Sequence, residues 1–61
     1  MNEILKLFTV DKLAKYLSVP KSTIYQLAET KKIPGFKVGK QWRFRKNAID
    51  KWITEEERNK N

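Results

Sequence analysis

Cysteine and histidine are both absent from this chain. Without cysteine there can be no disulfide and no thiolate metal site. Without histidine the commonest general base and metal ligand is missing. Proline and glycine occur only twice each, so each one carries information about where regular structure stops. No apolar run is long enough to span a bilayer, and Met1 opens a mixed polar stretch rather than a basic leader followed by an apolar segment. A cytoplasmic protein without a membrane partner is therefore expected. Carboxylates are also sparse. The one acidic cluster, Glu55-Glu56-Glu57, lies on a polar tail that cannot desolvate a carboxylate, and there is no nucleophile–base pair and no phosphate-cradling glycine loop. Neither enzymatic activity nor a cofactor, metal or small-molecule substrate is expected.

What is present is positive charge in one place. The chain has 14 Lys+Arg and 7 Asp+Glu, a net +7. Residues 21–46 hold Lys21, Lys31, Lys32, Lys37, Lys40, Arg43, Arg45 and Lys46 against Glu29 alone, which accounts for all of that excess; the remainder balances. A solvated surface gains nothing from such segregation. A face that binds a polyanion does, because each phosphate it neutralises releases counterions.

A length of 61 residues allows one small domain, expected over 1–57 with 58–61 as a frayed tail. A domain of this size buries only about 60% of its unfolded surface, so its core is minimal. Residues 1–8 read as a lead-in whose Ile4, Leu5, Leu7 and Phe8 can pack onto the body. Thr9 is a suitable N-cap, with Asp11 in the first turn. Val10, Leu13, Ala14 and Leu17 follow at helical spacing and predict a helix over 10–17. Ser18-Val19-Pro20 interrupts it, and Pro20 suits the start of a second helix over 21–30, whose stripe is Ile24, Leu27 and Ala28. Two helices joined by three residues fit a helix-turn-helix unit. Pro34-Gly35 marks a turn. Ala48, Ile49, Trp52 and Ile53 predict a last helix over 46–57, ending in TEEERNKN, which has no apolar residue and is expected to fray or be disordered.

Between these lies FKVGKQWRFRK, residues 36–46, which alternates, turns and alternates again. If Phe36, Val38, Trp42 and Phe44 share one core face, Val38 opposes Trp42 and Phe36 opposes Phe44. That register needs a three-residue loop, Gly39-Lys40-Gln41. Lys37, Arg43 and Arg45 then occupy the opposite face, with Lys40 at the tip. The expected core is Leu13, Leu17, Ile24, Leu27, Phe36, Val38, Phe44, Ile49 and Trp52. The fold class is mainly α with a small β-hairpin: a winged helix-turn-helix with a two-stranded wing and a C-terminal helix.

The ordered set Leu7-Phe8-Thr9-Val10, Ala14-Lys15-Tyr16-Leu17-Ser18-Val19, Ser22-Thr23-Ile24-Tyr25, Lys32-Ile33-Pro34, Phe36-Lys37-Val38-Gly39, Trp42-Arg43-Phe44 and Ile49-Asp50-Lys51-Trp52-Ile53 resembles the excisionase-type family of small winged helix-turn-helix domains, relatives of the MerR-type head. The resemblance spans about residues 7–53. It implies that the second helix enters the major groove of duplex DNA and that the wing lies on the backbone or in the adjacent minor groove. It further implies an excisionase, an architectural protein that bends attachment-site DNA and assists an integrase in a bacterial mobile element. A small phage or plasmid transcriptional regulator is the alternative on the same fold. A single-strand binder using the wing aromatics, or a module docking an acidic protein, are readings from other classes. One short reading helix recognises few base pairs, so further copies on adjacent sites are expected, bound to the nucleoid.

The residues assigned follow from chemistry. Gln26 can bond adenine bidentately, Lys21 can reach guanine or phosphate, and Ser22 and Thr23 suit phosphate or a thymine methyl; these are the base-reading candidates. Tyr25, Lys37, Lys40, Arg43 and Arg45 are the backbone and wing candidates. Arg43 is favoured among them for its rigid fork. Lys31 and Lys32 either touch the backbone or complement the helix C-terminus.

Overall fold

The computed structural model describes residues 6–59, so Ile4 and Leu5 lie outside the described residues. The elements are β1 (Leu7–Thr9), α1 (Val10–Leu17), α2 (Lys21–Glu29), β2 (Phe36–Val38), β3 (Gln41–Arg45) and α3 (Lys46–Arg58). This is a small winged helix-turn-helix. Its sheet is antiparallel with three strands rather than two, in the order β1-β3-β2.

The helix ends follow local chemistry. Thr9 is extended, and its Oγ1 accepts the Lys12 N–H at 3.1 Å, capping α1. That same residue ends β1, so one threonine closes a strand and opens a helix. α1 stops at Ser18, which lies in the left-handed region at φ 59°. From there the N–H groups of Ser18 and Val19 return to the carbonyls of Lys15 and Ala14 at 3.2 and 3.0 Å. A left-handed conformation costs a residue with a Cβ roughly 1–2 kcal/mol, a cost glycine escapes. Ser18→Gly is therefore expected to stabilise the domain by about 0.5–1 kcal/mol, read as a higher urea midpoint at unchanged slope. A lower midpoint would refute it.

α2 begins after Pro20, whose carbonyl accepts the Thr23 and Ile24 N–H groups. It ends in the pairing of Lys31 N–H to Ala28 O and Lys32 N–H to Leu27 O, the Schellman arrangement, with Lys31 at φ 60° where glycine is usual. The turn also brings Gly35 against Phe44: a Cβ at Gly35 would stand 2.5 Å from Cε2 of that ring. Only a residue without a side chain lets the loop pass so close to the core.

The hairpin register corrects the sequence reading. Phe36 pairs with Arg43, Lys37 with Trp42 and Val38 with Gln41, leaving a two-residue loop, Gly39-Lys40. Gly39 has φ +66° and Lys40 does not share the positive sign, as a type II′ turn requires. Trp42 and Phe44 keep to the core face, their rings 6.3 Å apart. Phe36 and Val38 face outward, 38% and 57% exposed, and are not core residues. Lys37 consequently changes sides: it shares the inner face with Trp42 and sets its Nζ 5.3 Å from that ring. Arg43 and Arg45 keep the outer face.

The reason is β1. Phe8 pairs directly with Phe44 and is buried, filling the space that Phe36 and Val38 were expected to fill. The buried core is Phe8, Val10, Leu13, Ala14, Ile24, Ala28, Ile33, Phe44 and Ile49, with Leu17, Leu27, Trp42 and Trp52 only partly covered.

α3 is tied to the rest of the domain through its first half. Its Trp52 indole N–H donates to the Lys32 carbonyl at 2.9 Å, and the Asp50 carboxylate accepts from Tyr16 Oη at 2.7 Å and Lys46 Nζ at 2.8 Å. The hydrogen bonds from Lys46 and then Tyr16 hold the Asp50 carboxyl below the usual carboxylate range, and the bond to Asp50 raises the Tyr16 hydroxyl. The helix also continues through TEEER to Arg58 instead of fraying at Thr54. Thr54 Oγ1 donates back to the Asp50 carbonyl, and the Asn59 N–H reaches the Glu55 carbonyl.

Candidate nucleic-acid interface

α2 places one face in the core through Ile24 and Ala28 and turns the other outward. Lys21, Ser22, Tyr25 and Gln26 are exposed on it, and Thr23 is half-buried at its edge. They lie at i, i+1, i+4 and i+5, one contiguous strip of helix surface. The N-terminus of α2 has no side-chain cap and no acidic residue in its first turn, so its free N–H groups and positive dipole end face outward. Asp11 of α1 lies beside it, 3.5 Å from Lys21 Nζ, with both side chains largely exposed.

The wing stands next to this strip. Lys21 and Tyr25 of α2 line one cleft with Lys40, Gln41, Trp42 and Arg43 of the hairpin, and Asp11 is the one acid on its wall. A second cleft, on the other side of Trp42, runs between Lys31 and Lys37. Trp42 is thus the floor shared by two basic furrows between α2 and the wing. It is half-buried against the core rather than displayed to solvent, which leaves it poorly placed as a stacking platform.

The predicted wing cations divide. Lys40 occupies the tip. Lys37 lies over Trp42 in the second furrow. Arg43 is drawn back along its own strand: Nη1 donates to the Trp42 carbonyl at 2.8 Å and Nη2 to Gln41 Oε1 at 2.9 Å. Arg45 is farthest from the tip, opposite Leu7, with its guanidinium 5.8 Å from the Phe36 ring. The structure therefore brings Lys21, Tyr25, Lys40 and Arg43 together, sets Ser22, Thr23 and Gln26 along the adjoining helix face, and leaves Arg45 apart. Gln41 was read as a loop residue because the three-residue turn placed it there; only the true register makes it a strand residue lining the cleft.

A family model described as a helix-turn-helix domain matches residues 7–57, which includes the three strands, α1 and α2 in full and all but the last residue of α3. The chain belongs to that family. No curated protein and no solved structure matches it. Membership gives the exposed strip of α2 its meaning, because the second helix of a helix-turn-helix domain is the element that meets DNA. Among the described residues no helix of this helix-turn-helix domain is long and apolar enough to cross a membrane.

Proposed function

We propose that this helix-turn-helix domain binds duplex DNA with sequence preference and acts as an excisionase, bending attachment-site DNA to assist an integrase. The observation that carries the duplex reading is the cleft between α2 and the wing. Cations stand on both its walls, Lys21 on one and Lys40 on the other, as a single phosphate strand passing between two protein elements requires. α2 then occupies the major groove on one side of that strand, and the wing crosses to the other. Gln26 reads base edges, Ser22, Thr23 and Tyr25 fix the register on phosphates, and Lys21, Lys37 and Lys40 hold the backbone. The excisionase role rests on the ordered motifs from Leu7 to Ile53 and on their likeness to that family and its MerR-type relatives. Recombination reconstituted with an integrase and its attachment-site DNA tests it. Excision that proceeds equally well without the protein would assign it instead to transcriptional regulation on the same fold.

Base reading has its own test. Gln26→Ala is expected to lower affinity for a selected site by about 5- to 100-fold, the value of one bidentate base contact, while leaving random duplex almost unaffected. Equal losses on both would show that α2 is not the reader. Titration with single strands of the same sequence completes the set: tighter binding to single strands sinks the duplex reading.

A further inference from the structure

We infer that the groove between the C-terminal ends of α1 and α3 and the flank of α2 is a protein-docking site, and that its occupant is a basic amphipathic helix of a partner protein. This goes beyond the DNA reading, because the groove shares no residue with either furrow between α2 and the wing.

The walls are apolar. Leu17 of α1, Val19 of the turn, Leu27 of α2, and Trp52 and Ile53 of α3 line an open groove of about 360 Å³. All five are only partly covered by the rest of the domain. The Trp52 indole N–H is taken by the Lys32 carbonyl at 2.9 Å. That bond fixes the ring and leaves it as an apolar wall with no donor to satisfy.

The rim is acidic. Helical spacing puts Glu56 and Glu57 on the same side of α3 as Trp52 and Ile53, with Lys51 and Arg58 on the opposite side. Both glutamates border the groove and are exposed, and among the described residues neither forms an ion pair. Glu55 differs: it lines a separate cleft among Lys31, Lys32 and Lys51. The acidic triplet of the sequence is thus divided between a site already rich in cations and a groove that has none.

These features specify the occupant. A partner strand needs an edge with free backbone groups, and the walls of this groove are side chains. The Val19 N–H already bonds the Ala14 carbonyl at 3.0 Å. The occupant must therefore satisfy its own backbone, as a helix does. Its apolar side chains at i, i+3 or i+4, and i+7 fill the groove, and Lys or Arg beside them meet Glu56 and Glu57. Charge complementarity makes the choice of sign discriminating. The chain as a whole carries +7, so a basic helix is repelled everywhere except at such a rim. A domain this small can also leave an apolar edge uncovered for want of core; that reading predicts no saturable partner and no dependence on the two glutamates.

The test uses the unaltered chain and a display library of helical peptides of about 16 residues, long enough to hold helix in water. Lys and Arg are fixed on the two flanks and the face between them is randomised. Retained peptides are expected to carry apolar residues at i, i+3 or i+4, and i+7. In NMR spectra they should shift the Trp52 indole N–H and the Ile53 methyls while leaving Tyr25 and Gln26 in place. Replacing the basic flanks by Gln, or making Glu56→Gln with Glu57→Gln, should weaken binding about 5-fold. Ile53→Gln should weaken it about 10-fold. Circular dichroism checks each fold, and the exposed glutamate pair keeps the test valid should Ile53→Gln unfold. The inference is overturned if no peptide is retained, if the shifts fall on α2's exposed strip or the wing, or if the glutamate changes have no effect. It is equally overturned if the groove resonances move with protein concentration alone, which assigns the groove to a second copy. Tetraphenylphosphonium binding there as tightly as the helices would assign it to a small lipophilic cation instead. No DNA is present in these measurements, so their failure leaves the duplex reading standing, and failure of the duplex reading leaves this inference standing.

Discussion

Phe44→Ala is expected to leave little folded protein at 25 °C. Phe44 is fully buried, pairs directly with Phe8 across the sheet, and is approached by Gly35 from the loop after α2. Truncating a buried phenylalanine costs roughly 3–5 kcal/mol, from lost transfer energy and the cavity left behind. A domain of 61 residues has a total stability of only about 3–9 kcal/mol at typical per-residue values. The substitution therefore removes much or all of it. The measurement is urea unfolding followed by tryptophan fluorescence, since Trp42 and Trp52 both border the core. A cooperative transition at the wild-type midpoint would count decisively against this account of the core. Duplex binding should disappear together with the fold, because the same ring supports the strand that carries the wing.

The second large effect is electrostatic. Each phosphate contact contributes about −0.9 to the log–log salt slope, which corresponds to about 5-fold in affinity at 0.15 M salt. The double change Lys21→Gln with Lys40→Gln should therefore weaken duplex binding about 30-fold and flatten the slope by about 1.8. The actual loss should exceed that figure, because Lys21 also partners Asp11 at 3.5 Å. Without Lys21 an unpaired carboxylate faces the phosphates. Arg45→Gln is the matched control. It removes the same charge, but from a site over Phe36 and away from the cleft, and should change the slope by less than half as much as either lysine. If Arg45→Gln flattens the slope as much as Lys21→Gln, affinity comes from overall charge and the cleft is not the path of the strand.

The helices were legible because their signals are local. Thr9 as a cap, the stripe Val10, Leu13, Ala14, Leu17, and the break at Ser18-Val19-Pro20 placed α1 and the start of α2 as observed, and α3 began at Lys46 as expected. The wing was legible as a hairpin but not in its register. Alternation fixes which residues share a face along one strand; it does not say which strand's apolar face is wanted. Phe36-Val38 and Trp42-Phe44 were equally apolar, and placing all four inside forced a loop one residue too long. The missing piece was Phe8, on a three-residue strand whose last member, Thr9, already carried a strong helix-start signal. Leu7 to Thr9 pair with residues 43–45, a contact across more than half of the chain that no local pattern announces. The same error spread into the site, placing Lys37 on the wrong face and concealing Gln41.

β3 is the middle strand of its sheet, flanked by β1 on one side and β2 on the other. A wing attached only through its own turn would be a hinge. This one is built in, like a cantilever fixed along most of its length, and a load on its tip is carried as shear across two ladders of hydrogen bonds into Thr9 and the start of α1. On the proposed function, bent DNA pressing on the tip would meet a stiff support, and most of the elastic deformation in the complex would fall on the nucleic acid rather than on the protein.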